Sequence, residues 1–430
     1  MPIRILATAD IHMGKRSTHV EADRKEAATI YTWKAIVKAA IDSKVDFVVL
    51  VGDTVDRENR YFEALGPLQE GFRTLADKGI TVLLTAGNHD FDVLPQLLRL
   101  NDHSNVQMLG TDEKWESWET EVRGKRVRFL GWSFRRLHCE ADPMQGYPGF
   151  PVDQDAVTVG LLHGDLGNPM SRYAPIDPGG LVREEVDVWV LGHIHKPILH
   201  REASPMVFYP GSPHAMSPKE DGGHGAVLLE LEGRGFVTSR RLILSPIRYE
   251  KLALDLSESK SAEDTRFGLM ESLIQRSHAC ASEHHELHRV VYDLILTVPR
   301  IQRESWEKWR GEIIELENAL PGGPTYAVRD MDVILQTSTE ELHEISNEPT
   351  DAGELAKAIL AMDKGEGNPL LDTLYEGWRR DFRTFKSQTI YQPLFSRLES
   401  PTLDEDKTMK AEIRKQGMRL IDTLLKQRNP

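Results

Sequence analysis

Five apolar runs in the first half of this chain each stop just short of residues able to bind a cation. Residues 3–7 are followed by Asp10-Ile-His12, 46–51 by Gly52-Asp53, and 80–85 by Gly87-Asn88-His89-Asp90. Residues 157–162 run into His163-Gly164, and 186–191 into Gly192-His193-Ile194-His195. Runs this short and this apolar read as buried strands. Helical periodicity separates the first three. Ile30, Trp33, Val37 and Ile41 recur at helical spacing within about 22–43, and a second helix is expected over about 62–77, before Gly79. Strands alternating with helices predict an α/β sheet, whose loops at the carboxyl ends of the strands converge on one edge. Carboxylates, imidazoles and one amide are thereby gathered at a single edge.

Such a donor set suits phosphoester hydrolysis. At neutral pH that reaction needs a strong nucleophile and neutralisation of the charge growing on the phosphoryl oxygens. Two divalent cations roughly 3.5–4 Å apart supply both. Their ligands are mixed, with a carboxylate as bridge and imidazole and amide filling the other positions. Asp53, on a glycine turn at a strand end, is the expected bridge. Asp10, His12 and His195 are the expected set for one ion, and Asn88, His163 and His193 for the other. If Asn88 points inward, His89 is left to stabilise the transition state or protonate the leaving oxygen, with Asp90 orienting it. Each piece has an ordinary alternative. An isolated Asp-x-His caps a turn, Gly-Asn-His-Asp suits positive φ, and strand alternation alone puts His193 and His195 on one face. The order of the pieces, each after a strand, is what sets the joint pattern apart.

Residues 115–121 and 127–132 read as a hairpin around Arg123-Gly124-Lys125, and strands at 206–209, 226–231 and 236–244 complete a second sheet. Residues 1–245 are therefore expected to form a β-sandwich flanked by helices. Beyond Ser245-Pro246, a helix at 262–277, a strand at 290–298, a helix at 303–316 and a strand at 327–335 predict a small α+β domain over 246–345. A linker at 347–353 leads into a helical segment, 346–430. Leu371, Leu374, Trp378, Phe382 and Phe385 mark one apolar face there, and Met409, Ile413, Leu420 and Leu424 another.

With 430 residues the chain exceeds one core. Its net charge of −14 argues against a non-specific nucleic-acid binder, unless bound cations or a partner supply positive charge. Arg123, Lys125, Arg126 and Arg128 make one basic hairpin. Cys139 and Cys280, the two cysteines, exclude a disulfide framework and point to a reducing, cytoplasmic compartment. No apolar run is long enough to span a bilayer, and the start of the chain lacks a signal-peptide layout.

Asp-x-His, Gly-Asp, Gly-Asn-His, His-Gly and Gly-His-x-His, in this order, resemble the motifs of the calcineurin-like metallophosphoesterase superfamily. Gly52-Asp53-Thr54-Val55-Asp56-Arg57 is similar to the Gly-Asp-x-Val-Asp-Arg string of its protein phosphatases, and by that likeness Asp56 and Arg57 are expected at the substrate. Ala9-Asp10-Ile11-His12-Met13-Gly14, Tyr173-Ala174-Pro175, Val188–Pro197 and Tyr209-Pro210-Gly211-Ser212-Pro213 resemble the SbcD-type and YhaO-type DNA repair exonucleases. This likeness is strong over residues 1–245. It implies two Mn²⁺ ions (Mg²⁺, Fe²⁺ or Zn²⁺ being alternatives) and His89 as the catalytic histidine. It also implies a capping domain, a helical tail that docks on an SbcC-like SMC-type ATPase, and a homodimer formed through the helices near 22–43 and 61–78. The activity implied is 3′-to-5′ exonuclease and single-strand endonuclease action on DNA. The chain departs from that group after Pro213, where His214-Ala-Met-Ser-Pro-Lys-Glu220 stands in place of a Ser-Phe-x-Glu-like string. A small-molecule phosphodiesterase or protein phosphatase of the same superfamily is the competing enzyme. A structural subunit that uses metal only to hold its fold is the competing non-enzyme.

Overall fold

Strand Ile3–Thr8 lies inside a six-stranded sheet ordered Phe236–Ile243, Gly225–Gly233, Ile3–Thr8, Phe47–Val51, Thr81–Thr85, Val106–Met108. The last four of these are mutually parallel, and Gly225–Gly233 joins them antiparallel. A second six-stranded sheet is ordered Ile198–Arg201, Met206–Tyr209, Val188–Gly192, Ala156–His163, Lys125–Trp132, Glu116–Val122, with its four inner strands parallel. This computed structural model describes residues 1–21, 24–58, 64–99, 104–183, 185–314, 317–337, 339–387 and 405–428. The chain divides into one unit of Met1–Lys251, Leu273–Asp293 and Glu315–Asp330, and another of Leu252–Ser272, Leu294–Ile314 and Met331–Pro430.

Side chains alternate across a strand, so the inner strands of the first sheet feed two cores. Ile3, Ile5, Ala7, Phe47, Val49 and Val51 pack against Val127, Phe129, Val159, Leu161, Val188 and Val190 of the second sheet, which makes the sandwich. Leu6, Val48, Leu50, Val82 and Leu84 point the other way and meet Trp33, Ile36, Leu68 and Phe72 of helices Thr29–Asp42 and Leu65–Ala76. Burial on both faces is why these strands read as unbroken apolar runs. The outer face of the second sheet, with Trp132, Leu162 and Trp189, is covered by Met144, Ile176 and Leu181 of connecting segments rather than by long helices.

The helix expected over 22–43 begins at Thr29. Before it the backbone is engaged elsewhere: Ser17 N donates to Ala27 O, Thr29 N to Lys15 O, and Thr29 Oγ1 to His12 O. Residues 22–23, 61–63 and 315–316, at the ends of expected helices, lie outside the described residues, as do the side chains of Phe382 and Phe385. Strands Val106–Met108 and Ile198–Arg201 are too short to leave a periodic signal. The basic hairpin is tied into its own surroundings: Arg123 pairs with Asp46 at 2.6 Å, Arg126 with Asp153 at 2.8 Å and Arg128 with Glu119 at 2.5 Å, while Lys125 donates to Glu232 O.

After residue 245 come strands Ile247–Asp255, Arg289–Pro299, Glu317–Ala319 and Thr325–Gln336 and helices Ala262–Glu283 and Arg303–Ile314, the α+β content that the sequence predicts. Helices Thr339–Ser346, Asp351–Lys364, Pro369–Ser387 and Glu405–Arg428 follow. The expected linker is shorter than 347–353, because Thr350 caps the helix from Asp351 by accepting from Gly353 N. Met418 and Ile421 of the last helix pack with Leu342, Ile345, Ala356 and Ile359, and Ile413 packs with Ala358, Met362 and Leu371. Leu374 and Leu420, expected on apolar faces, are 42% and 48% exposed. Much of the apolar stripe of the tail is thus occupied by the tail's own helices. No described helix is long and apolar enough to cross a membrane.

Candidate metal centre

Two loops at the carboxyl edge of the first sheet are zipped together. Asp10 N donates to Gly52 O at 3.1 Å, His12 N to Asp53 O at 2.9 Å and Met13 N to Thr54 O at 2.9 Å, and Asp56 N returns to Met13 O at 3.0 Å. The parallel ladder of Ile3–Thr8 and Phe47–Val51 is in effect prolonged beyond the strands. Asp10, His12 and Asp53 take left-handed φ values of +53°, +49° and +50° there, and His193 takes +100°. Such conformations cost of order 1–3 kcal/mol each and cluster at functional sites. The second sheet approaches so closely that a Cβ on Gly192 would lie 1.9 Å from Val51 O. One on Gly87 would lie 2.2 Å from Asp53 Oδ1, so only glycine fits either position. His193 N then donates to both Asp10 carboxylate oxygens, at 3.1 and 3.0 Å.

Ligand-type atoms of Asp10, His12 and His195 all lie within 4.8 Å of one another, as do those of Asp10, Asp53 and His163. His12 Nε2 and His195 Nε2 are 3.2 Å apart. His163 Nε2 is 3.2 Å from Asn88 Oδ1, and its ring centroid is 5.5 Å from that of His193. Asp53 stands between the groups, its Oδ2 at 3.8 Å from His12 Nε2 and 3.5 Å from His163 Nε2. The seven residues singled out from the sequence are therefore brought to one place: Asp10, His12 and His195 lie together, His163 lies beside Asn88, His193 and Asp53, and Asp10 approaches His163 as well. Nδ1 of His12 and Nδ1 of His195 face the carboxylates of Asp56 and Glu220, so in the neutral rings both Nε2 atoms, 3.2 Å apart, present lone pairs to one place, as two ligands of a cation would. Burial lowers the pKa of His12 and pushes that of His193 down to about 4, which keeps both rings neutral, as metal ligation requires. Burial alone raises the pKa of Asp53, but His163, His12 and His89 around it outweigh that and hold it below the usual carboxylate range.

The ring nitrogen turned away from the cluster has an acceptor in three cases. His12 Nδ1 is 3.3 Å from Asp56 Oδ1, His163 Nδ1 is 3.0 Å from Val51 O, and His195 Nδ1 is 2.7 Å from Glu220 Oε1. Acceptors so placed fix the tautomer that presents Nε2. Glu220 ends the segment that stands in place of the Ser-Phe-x-Glu-like string, two strands beyond His195, and its spacing in the sequence does not pair it with that histidine.

His89 and Asp90 part company. His89 N donates to Asp53 Oδ1 at 2.8 Å, while its ring is half-buried beside the cluster with Nδ1 3.4 Å from Asp56 Oδ1. The Asp56 carboxylate beside it raises the pKa of His89. Asp90, expected to orient His89, instead accepts from Gly87 N at 2.8 Å, Thr54 N at 2.6 Å and Val55 N at 3.3 Å. Burial and the nearby Asp53 push its pKa up to about 7. Asp56, expected at the substrate, is 1% exposed and lies beneath the site, between His12, His89 and Lys15, whose Nζ is 3.0 Å away. Burial raises its pKa, but those three neighbouring side chains pull it far below the usual range. Arg57 is half-buried on the same loop.

Residues 3–197 match the family model described as Calcineurin-like phosphoesterase. The uncharacterized metallophosphoesterase YhaO of Bacillus subtilis is 29% identical over 242 residues, 55% of this chain and 58% of that protein. The DNA double-strand break repair protein Mre11 of Methanopyrus kandleri is 24% identical over 255 residues, 55% of each protein. The SbcD component of the nuclease SbcCD of Bacillus subtilis is 25% identical over 292 residues, 60% of this chain and 74% of that one. The chain thus spans little more than half the length of the first two of these relatives. All of the candidate residues from Asp10 to His195 fall inside the segment that matches the calcineurin-like phosphoesterase family model.

Proposed function

We propose that this chain is a metal-dependent nuclease that hydrolyses phosphodiester bonds of DNA, with 3′-to-5′ exonuclease and single-strand endonuclease action, in end processing, repair or defence. The observation that carries the hydrolytic part is the place of Asp53, with His12 on one side, His163 on the other and further donors beyond each. In this reading Asp10, His12 and His195 would hold one divalent ion, Asn88, His163 and His193 would hold the other, and Asp53 would be shared between them. Mn²⁺ is the proposed metal. When bound, the pair supplies an acidified water and a clamp on the phosphoryl oxygens. The protein's own part falls to His89 and Asp56. His89 Nε2 donates its proton to the departing deoxyribose oxygen, and Asp56 keeps that imidazole protonated and aimed. Lys15 and His12 hold Asp56 in turn.

DNA as substrate is supported by the names of two relatives, a DNA double-strand break repair protein and a component of a nuclease. The same proposal includes an SbcC-like ATPase partner, a homodimer and a cytoplasmic setting. Since Trp33, Ile36, Leu68 and Phe72 face the sheet, a dimer would use the outer sides of their helices.

A small-molecule phosphodiesterase or phosphatase is the second reading. It is favoured by the net charge of −14 and by the engagement of the hairpin's basic residues within the unit. The deciding experiment incubates the full chain and Mn²⁺ with linear duplex DNA and, separately, with a chromogenic phosphodiester. Release of nucleotides from DNA supports the nuclease. Intact DNA beside a hydrolysed small ester, with or without the ATPase, rejects it and leaves the second reading.

A further inference from the structure

We infer that Glu220 is a positioning residue for the candidate ligand His195, and that residues 211–220 form the wall holding one of the two ion sites in register. This inference rests on the two-ion reading above and names a part of the site outside its motifs. Glu220 Oε1 lies 2.7 Å from His195 Nδ1, and its Oε2 accepts from Met216 N at 2.6 Å, so both carboxylate oxygens are engaged. Ser212 N, on the same segment, donates to His195 O at 2.9 Å. His195 is thus gripped by its backbone at one end of the segment and by its ring at the other.

The direction of the grip matters. A carboxylate facing Nδ1 can only accept, so in the neutral ring Nδ1 carries the proton and Nε2 carries the lone pair. That lone pair points at His12 Nε2, 3.2 Å away, with Asp10 Oδ1 at 4.0 Å. Without Glu220 the ring is free to take the opposite tautomer, whose Nε2–H would aim a proton at the place of the ion. His12 and His163 have Asp56 and Val51 O in the equivalent position. Glu220 is the acceptor contributed by the segment that follows Met206–Tyr209, and among the described residues it is the ring of His195 that this segment's carboxylate holds. An acceptor of this kind is worth about 10–100-fold in metal affinity.

The test is a calorimetric Mn²⁺ titration of the full chain, wild type against Glu220→Ala, with long-range ¹H–¹⁵N spectra of the His195 ring in the metal-free proteins. We expect wild type to bind two ions. Glu220→Ala should bind one with wild-type affinity and the other about 10–100-fold more weakly, with His195 shifting from the Nδ1–H form towards a mixture. Glu220→Gln, which keeps one acceptor oxygen, should fall between, and it serves as the sole variant if Glu220→Ala does not fold. A wild type that binds no Mn²⁺ overturns the two-ion reading itself. A wild type that binds two, with variants of unchanged affinity or an unchanged His195 tautomer, overturns the role of Glu220 alone. Equal weakening of both ions marks Glu220 as a general prop of the fold and also overturns that role.

Discussion

Asp56 Oδ1 and His89 Nδ1 face each other at 3.4 Å, from loops that follow two neighbouring parallel strands. A carboxylate buried behind an imidazole both orients the ring and stabilises its charged form. His89→Ala should therefore reduce cleavage by about 10²–10⁴-fold while Mn²⁺ uptake and folding persist. Asp56→Asn should lose part of that factor, and the double variant should be little worse than His89→Ala, because the two act as one unit. Single-turnover rates of the three proteins check this, and full additivity of the two losses would separate the residues.

Asp90 predicts a different phenotype. It accepts from three backbone amides and joins the loop of residues 87–90 to that of 54–55. Asp90→Ala should lower the stability of the metal-free protein by roughly 1–3 kcal/mol, since buried amides lose their acceptor. Urea unfolding measures it. A folded, equally stable Asp90→Ala that has lost only turnover would return Asp90 to a role beside His89.

Close approach of the two sheets predicts that Gly192→Ala is poorly tolerated. The added methyl would press on Val51 O and on His163 Nδ1, 1.9 and 2.7 Å from its ideal position. Overpacking of this kind costs about 1–3 kcal/mol. Thermal unfolding should show the loss, and weaker Mn²⁺ binding should accompany it because His163 is displaced.

His214 sets an acid limit on stability. It is fully buried between Thr32 Oγ1 at 2.7 Å and Ser17 Oγ at 2.8 Å, and burial pushes its pKa down to about 4. The unfolded chain protonates this ring near pH 6.5, whereas the folded chain resists until about pH 4. Stability from the neutral ring is therefore complete above about 6.5 and drains away as pH falls to about 4, by roughly 3 kcal/mol at most. His214→Gln should flatten the slope of unfolding free energy against pH in that window. An unchanged slope would assign the acid sensitivity to other groups.

Much of the sandwich is legible in the sequence because its inner strands are buried on both faces and end on glycine and polar residues. Asp10, His12, Asp53, Asn88, His163, His193 and His195 stand out for that reason, and the fold brings them together. The roles of Asp56 and Asp90 are not legible, because they depend on which way a loop turns. Residues 87–90 curl so that Asp90 reaches the amides of Thr54 and Val55, leaving Asp56 as the neighbour of His89. Glu220 is hidden by distance along the chain. The start of helix Thr29–Asp42 is hidden because hydrogen bonds to Lys15 and His12 end a periodic pattern that otherwise runs on. In the tail, Leu420 shares the helical period of Met409 and Ile413 yet lies on the outside, since Met418 and Ile421 carry the packed face.

Anomalous scattering from crystals of the full chain grown with Mn²⁺ tests the central claim most directly. Two peaks are predicted, about 3.5–4 Å apart with Asp53 between them. One should lie among Asp10, His12 and His195, and the other among Asn88, His163 and His193. No peak, or a single peak away from Asp53, would contradict the two-ion site.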